Sequence, residues 1–227
     1  MLKDFIALIF PHNCVSCGKN LYKKEQSICT YCAYYLPKTN FHLNEDNPIA
    51  KIFWGRVPIF SAAAFYSFNK GGKVQQLIHQ LKYKGQKHIG LSIGKLYGYE
   101  LKDCKNFNTV DTIMPVPLHP KRKKKRGYNQ SDDFAIGLAE SMNLKADLKT
   151  LYRAKESETQ TRKSRFSRWQ NVESVFQLYN PSDIEGKHIL LVDDVITTGA
   201  TLEACAQTLL KVPGVKVSIA TIAFASH

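Results

Sequence analysis

Residues 188–201 read His-Ile-Leu-Leu-Val-Asp-Asp-Val-Ile-Thr-Thr-Gly-Ala-Thr: an apolar run ending on two adjacent carboxylates and passing at once into a threonine- and glycine-rich turn. The unbroken apolar stretch Ile189–Val192 predicts a parallel strand covered on both faces, and a helix is expected from about Thr201 to Lys211. In an open parallel sheet, ligands sit beyond the carboxyl ends of the strands. At that place the hydroxyls of Thr197, Thr198 and Thr201, with the N–H groups around Gly199 and Ala200, would form a donor-rich cup. A helix N-terminus behind it favours a phosphate dianion. Asp193 and Asp194 are wrong for phosphate but suit sugar hydroxyls or Mg²⁺. Taken singly, the acids could be caps and the Thr-Thr-Gly a plain turn. In this order, between a strand and a helix, they have the polarity of a ribose 5-phosphate cradle.

The rest of the chain supplies the matching architecture. Strands are expected at 61–68, 111–116, 151–155, 173–178 and 215–224. Apolar stripes at Val74, Leu77, Ile78, Leu81, at Ile89, Ile93, Leu96, Tyr97, and at Ala135, Leu138, Ala139, Met142 have helical spacing. Strands alternating with helices predict an α/β fold with a parallel sheet flanked by helices. Residues 38–58 read as a linker, with Ile49, Ile52, Phe53 and Trp54 marking a docking turn.

Four of the six cysteines are grouped at the start. Cys14, Cys17, Cys29 and Cys32 make two CxxC pairs separated by eleven residues. Each pair lets two thiolates face one point, and two pairs complete a closed tetrahedral S4 site, so structural zinc is the leading reading. A redox dithiol, an iron–sulfur cluster and a disulfide pair are the alternatives. About forty residues bury little core, so the metal would hold this ribbon folded. Cys104 and Cys205 read as ordinary buried small residues.

Charge reads in two ways, as a preference for anionic partners or as a solvated surface that keeps the protein soluble. The chain of 227 residues carries a formal net charge of +13, which favours polyanions such as nucleic acid or phosphate-rich ligands. Lys121, Arg122, Lys123, Lys124, Lys125 and Arg126 are six consecutive cations. The run reads either as a flexible solvated loop or as a contact to a nucleic-acid backbone, and Tyr83, interleaved with Lys82 and Lys84, could stack an unpaired base. No stretch approaches the ~18 apolar residues needed to cross a bilayer. Leu2, Phe5, Ile6 and Ile9 predict a short amphipathic helix rather than a signal peptide. A cytoplasmic location is expected, with no membrane insertion.

The segment Leu190–Thr201 resembles the signature loop of type I phosphoribosyltransferases. With Met114-Pro-Val-Pro-Leu118, Arg126-Gly-Tyr-Asn-Gln130 and the cysteine ribbon, the chain is similar to the ComF family from Cys14 to about Phe224. The resemblance implies a zinc ribbon over 1–45 and a phosphoribosyltransferase-like domain over 46–227. It implies that Asp193 and Asp194 contact ribose hydroxyls and that residues 197–201 hold the 5-phosphate of 5-phosphoribosyl pyrophosphate, with Mg²⁺. The loop Val116, Pro117, Leu118, His119 would hold pyrophosphate, often through a strained peptide. A mobile basic lid would span 156–171, with Gln160, Arg162, Arg168 and Asn171 as its site residues; Lys163 stands where many relatives have an apolar residue. A role in natural transformation is implied, with single-stranded DNA as a partner. No motif assigns an acceptor, a general base or a protein partner.

Overall fold

In the computed structural model, residues 13–22, 25–86, 88–154 and 175–225 are described. The expected amphipathic helix near the start and the expected lid lie outside these residues. Four apolar runs and a two-residue edge strand pair into one parallel sheet. In chain order the strands are β1 (Ser61–Ser67), β2 (Thr112–Pro115), β3 (Lys145–Ala146), β6 (His188–Ile196) and β7 (Lys216–Phe224), arranged β1-β7-β6-β2-β3. Between β3 and β6 in the chain, β4 (Leu151–Arg153) and β5 (Phe176–Leu178) form a separate antiparallel pair.

The two-residue period of the strands sorts the core into two layers. Leu190, Val192, Ala220 and Ile222 face one side. There they pack with α3 (Lys73–Tyr83), α4 (His88–Lys102) and α6 (Gln130–Met142). Ile189, Leu191 and Ile219 face the other side, against α2 (Pro48–Phe53) and α7 (Ala200–Leu209). All seven strand residues are fully buried, each side chain contributing on the order of 1–3 kcal/mol. That is why the central strand reads as continuously apolar.

Helices α4 and α6 meet at glycines. A methyl group added at Gly94 would collide with the Phe134 carbonyl oxygen, and one at Gly137 with that of Leu91. The backbones touch, and no larger residue fits.

The ribbon carries the short helix α1 (Thr30–Tyr35) and packs on the first layer: Cys14, Ile28, Cys29, Cys32 and Leu36 are buried in the same core as Phe65, Leu77 and Ile93. Ser27 Oγ lies 2.9 Å from Ser92 Oγ and 3.2 Å from the His88 carbonyl of α4. Beyond it, residues 37–39 run along the outer side of β1. The Ser67 N–H donates to Pro37 O at 2.8 Å, the Thr39 N–H to Phe65 O at 3.0 Å, and Lys38 bridges Tyr66.

Three sequence expectations change. The linker region holds α2, where Asn47 caps the Ile49 and Ala50 N–H groups, Pro48 opens the helix, and Ile49 and Phe53 are fully buried. The six-cation run is helical, not a loop: it forms α5 (Pro120–Arg126), opened by Pro120 and by His119 Nδ1 accepting from the Lys121 N–H. Lysine and arginine are good helix formers, and both termini are capped, which outweighs the repulsion between neighbouring charges. Cys205 is buried as expected, whereas Cys104 is half-buried and donates to His42 O at 2.9 Å.

Candidate functional site

β6 delivers the two acids to the carboxyl edge of the sheet, where each meets a different environment. Asp193 Oδ1 accepts from Ser131 Oγ at 2.9 Å and from the Asp194 N–H at 2.8 Å. Burial first, and then the adjacent Asp194 charge, push the Asp193 carboxyl up to about 7. Asp194 Oδ1 is paired with Lys82 Nζ at 2.9 Å, from the last turn of α3. One carboxylate is therefore matched by a cation, while its neighbour keeps its proton to a higher pH than an ordinary carboxyl. Among the hydrogen bonds and ion pairs described, Asp193 Oδ2 and Asp194 Oδ2 have no protein partner, leaving oxygens for hydroxyls or a hard cation.

The turn after β6 is shaped by Gly199, whose φ of 74° lies in the left-handed region and which is buried against α2. A Cβ there would sit 2.8 Å from Ile52 Cγ2, so a side chain would lift the turn off its support. Arg56 braces the turn from outside. Its guanidinium donates to Ile52 O and Thr198 O, both at 3.1 Å, and pairs with Glu203 in the first turn of α7. The side chains of Thr197, Thr198 and Thr201 remain exposed around this fixed backbone.

The loop after β2 ends on the neighbouring strand's edge. The Val116 N–H donates to Val192 O at 2.8 Å, and Asn129 Nδ2 donates to Val116 O at 3.1 Å. Pro117, Leu118 and His119 are half-buried, and no cis peptide occurs among the described residues. The motif Arg126-Gly-Tyr-Asn-Gln130 turns out to be a brace. Arg126 lies 5.3 Å over the Tyr83 ring and donates to Gln130 Oε1 at 2.7 Å, Tyr128 donates its hydroxyl proton to Leu81 O, and Asn129 also donates to Asp132 Oδ1 at 2.6 Å. It fixes the end of α3, the start of α6 and the loop after β2 relative to one another.

The four ribbon cysteines converge. Their Sγ atoms all lie within 4.8 Å of one another and none forms a disulfide. A tetrahedral Zn–S distance of about 2.3 Å requires sulfurs about 3.8 Å apart, and Cys17 and Cys29 Sγ stand at 3.7 Å. The Cys29 N–H points at Cys14 Sγ (3.3 Å) and the Cys32 N–H at Cys29 Sγ (3.4 Å), as donors to ligating thiolates do. Burial raises the Cys14 thiol, but the N–H groups of Cys29, Ser16 and Cys17 more than offset it and bring it down to about 7. Burial pushes Cys32 up to about 12. A shared cation is what would let all four ionise together. The donor set fits one metal ion.

Residues 124–227 match the family described as Phosphoribosyl transferase domain. The DNA utilization protein YhgH of Escherichia coli (strain K12) is 30% identical over 193 residues, 83% of this chain and 80% of that protein. The Competence protein F of Haemophilus influenzae is 25% identical over 218 residues, 89% of this chain and 92% of that protein. The chain belongs to the ComF family. Competence protein ComFC of Bacillus subtilis (strain 168) is a further ComF relative, 26% identical over 204 residues, 87% of this chain and 78% of that protein.

In this ComF chain the acids, the 197–201 turn and the loop 116–119 sit at the carboxyl ends of the adjacent strands β6 and β2. Next in the chain, α5 carries Lys121–Arg126, with Lys121–Lys125 exposed. Gln160, Arg162, Arg168 and Asn171 lie outside the described residues. Lys82, Ser131 and Arg56 were not singled out for the site from sequence. Two clefts among the described residues lie elsewhere, one between the ribbon and α3 and one around Trp54–Ser61. Among the described residues, no helix is long and apolar enough to cross a membrane.

Proposed function

We propose that this ComF chain binds 5-phosphoribosyl pyrophosphate with Mg²⁺ at the carboxyl ends of β2 and β6, and that it serves the uptake or use of DNA. The observation that carries the first part is the ordered sequence of functions along one turn. Two acids, one of them matched by Lys82, lead into a glycine-fixed backbone ringed by three exposed threonines at the start of α7. Asp193 and Asp194 accept from the ribose hydroxyls, and Thr197, Thr198, Thr201 and the N–H groups of Gly199 and Ala200 hold the 5-phosphate. Val116, Pro117, Leu118 and His119 face the pyrophosphate, and Gln160, Arg162, Arg168 and Asn171, outside the described residues, are the further candidates for contact with it. Mg²⁺, when bound, supplies positive charge to the pyrophosphate oxygens. In the enzymatic form of this reading, an acceptor bonds to the anomeric carbon as the bond to pyrophosphate breaks, and pyrophosphate leaves with the electron pair. Zinc in the four-cysteine site is structural, because four protein ligands leave no open position.

The relatives named for competence and DNA utilization support the second part, as does α5, an exposed cationic helix whose Arg126 stacks on Tyr83. A non-catalytic form, sensing the sugar phosphate while binding single-stranded DNA, rests on the same surface.

Calorimetry of the zinc-loaded protein with 5-phosphoribosyl pyrophosphate tests the site. Saturable, Mg²⁺-enhanced heat that Asp194→Asn abolishes at unchanged melting temperature is expected. Equal heats for wild type and variant, or none, defeat the reading. Pyrophosphate release in the presence of candidate acceptors separates turnover from sensing.

A further inference from the structure

α3 connects two places where a tyrosine ring meets a cation. At its first residue, Lys73 Nζ stands 5.8 Å from the Tyr31 ring of the ribbon, and Lys19 reaches the same ring at 5.8 Å. At its last residue, Tyr83 lies 5.3 Å beneath Arg126 and 5.0 Å from His79. Ten residues of helix rise about 15 Å. Lys73, Gln76, His79 and Tyr83 follow the three- and four-residue spacing of one helix face, and all four are exposed.

The space beside that face is a cleft of about 760 Å³ between α3 and ribbon residues 13–18. Its α3 wall is made of Gln75, Gln76, His79 and Gln80, and none of its described lining residues carries a carboxylate. Beyond Tyr31 the ribbon continues the aromatic surface. The Tyr31 and Tyr35 rings are 4.5 Å apart, Tyr34 and Tyr35 are 4.9 Å apart, and Tyr34 is 76% exposed. A nearby acid, Glu25, is turned to the backbone, accepting from the Tyr22 N–H at 2.8 Å and from Thr30.

We propose that the groove between the ribbon and α3, running from Tyr31 to Tyr83 and Arg126, is a track for single-stranded DNA. Unpaired bases stack on the exposed rings, phosphates meet Lys19, Lys73 and Arg126, and the amides of Gln76 and Gln80 reach base edges. The track leads onto α5, whose exposed lysines continue the cationic path. Protein interfaces are depleted of lysine at their centre, whereas here lysines flank the tyrosine that opens the groove, which favours a polyanion. The proposal rests on the DNA half of the function proposed above and gives it a place distinct from the sugar-phosphate site.

The test is fluorescence anisotropy of labelled oligothymidine, about 20 nucleotides long, with the full zinc-loaded chain. Tyr31→Ala and Tyr83→Ala are each expected to weaken binding by about five- to a hundredfold, and Tyr31→Phe and Tyr83→Phe, which keep the ring, to bind like wild type. Lys121→Gln/Lys123→Gln/Lys125→Gln should weaken binding and flatten its salt dependence. Binding that is lost in the triple lysine variant yet unchanged in both alanine variants overturns the groove and leaves the DNA reading standing. No oligonucleotide affinity in wild type at low salt overturns both, and makes the tyrosines a protein-docking face.

Discussion

Asp193 and Asp194 are adjacent in the chain but have different partners, and that difference has a measurable cost. A carboxyl raised from an ordinary 3.8 to about 7 holds more protons folded than unfolded between those values. The stability it contributes is full below the lower value and is lost as pH rises through the upper one. Asp193→Asn can keep the acceptor for Ser131 and the Asp194 N–H but cannot ionise. Its melting temperature should exceed that of wild type by a margin that widens from about pH 5 to about pH 8, in thermal melts across pH; a margin independent of pH contradicts the environment described. The acids and threonines were legible in sequence because their order is local, written along one strand and one turn. Lys82, Ser131 and Arg56 were not, because they arrive from α3, α6 and the turn after α2, more than sixty positions away or on the opposite layer. Sequence shows that Lys82 is on the polar side of its helix; only packing of the adjacent Leu81 shows what it faces.

Among the elements, the α4–α6 pair is the least tolerant. Gly94 and Gly137 allow backbone contact, so Gly94→Ala must push the helices apart. A loss of about 1–3 kcal/mol is expected, read from the urea midpoint, with ligand affinity falling too because α6 carries Ser131 and begins at the brace. An unchanged midpoint would mean the two helices are not in contact. Neither glycine stood out in the sequence, where α4 was recognised from Ile89, Ile93, Leu96 and Tyr97 and the glycine stripe was hidden between them. α5 shows the reverse case. Pro120 and Gly127 mark a helix start and stop, but six like charges read more naturally as a loop until the capping at both ends is seen. Strands β1, β2 and β7 were legible to within about two residues, whereas β6 runs four residues past the apolar stretch Ile189–Val192, to Ile196, and takes both acids into the strand. β3 is two residues long, and only pairing with β2 defines it.

At the scale of the whole molecule, the four-cysteine cluster and the sheet share one core. Cys14, Cys29 and Cys32 are buried with Phe65 and Leu77, and Ser27 reaches α4. Removing the zinc proposed for that cluster should therefore destabilise more than the ribbon. A zinc chelator is expected to lower the melting temperature of the entire chain in a single transition, and Cys32→Ser to do the same without chelator; an unmoved transition would make the cysteines a detached appendage. The division at residue 45 is the other proposal to test here, and the segment along β1 decides how. A fragment of residues 46–227 lacks Pro37, Lys38 and Thr39, so the Ser67 N–H and the Phe65 carbonyl are stripped of their partners. What remains is a bare seam that can recruit a second copy. In sedimentation the fragment should self-associate while the intact chain does not, so a dissected domain would misreport the habits of the parent.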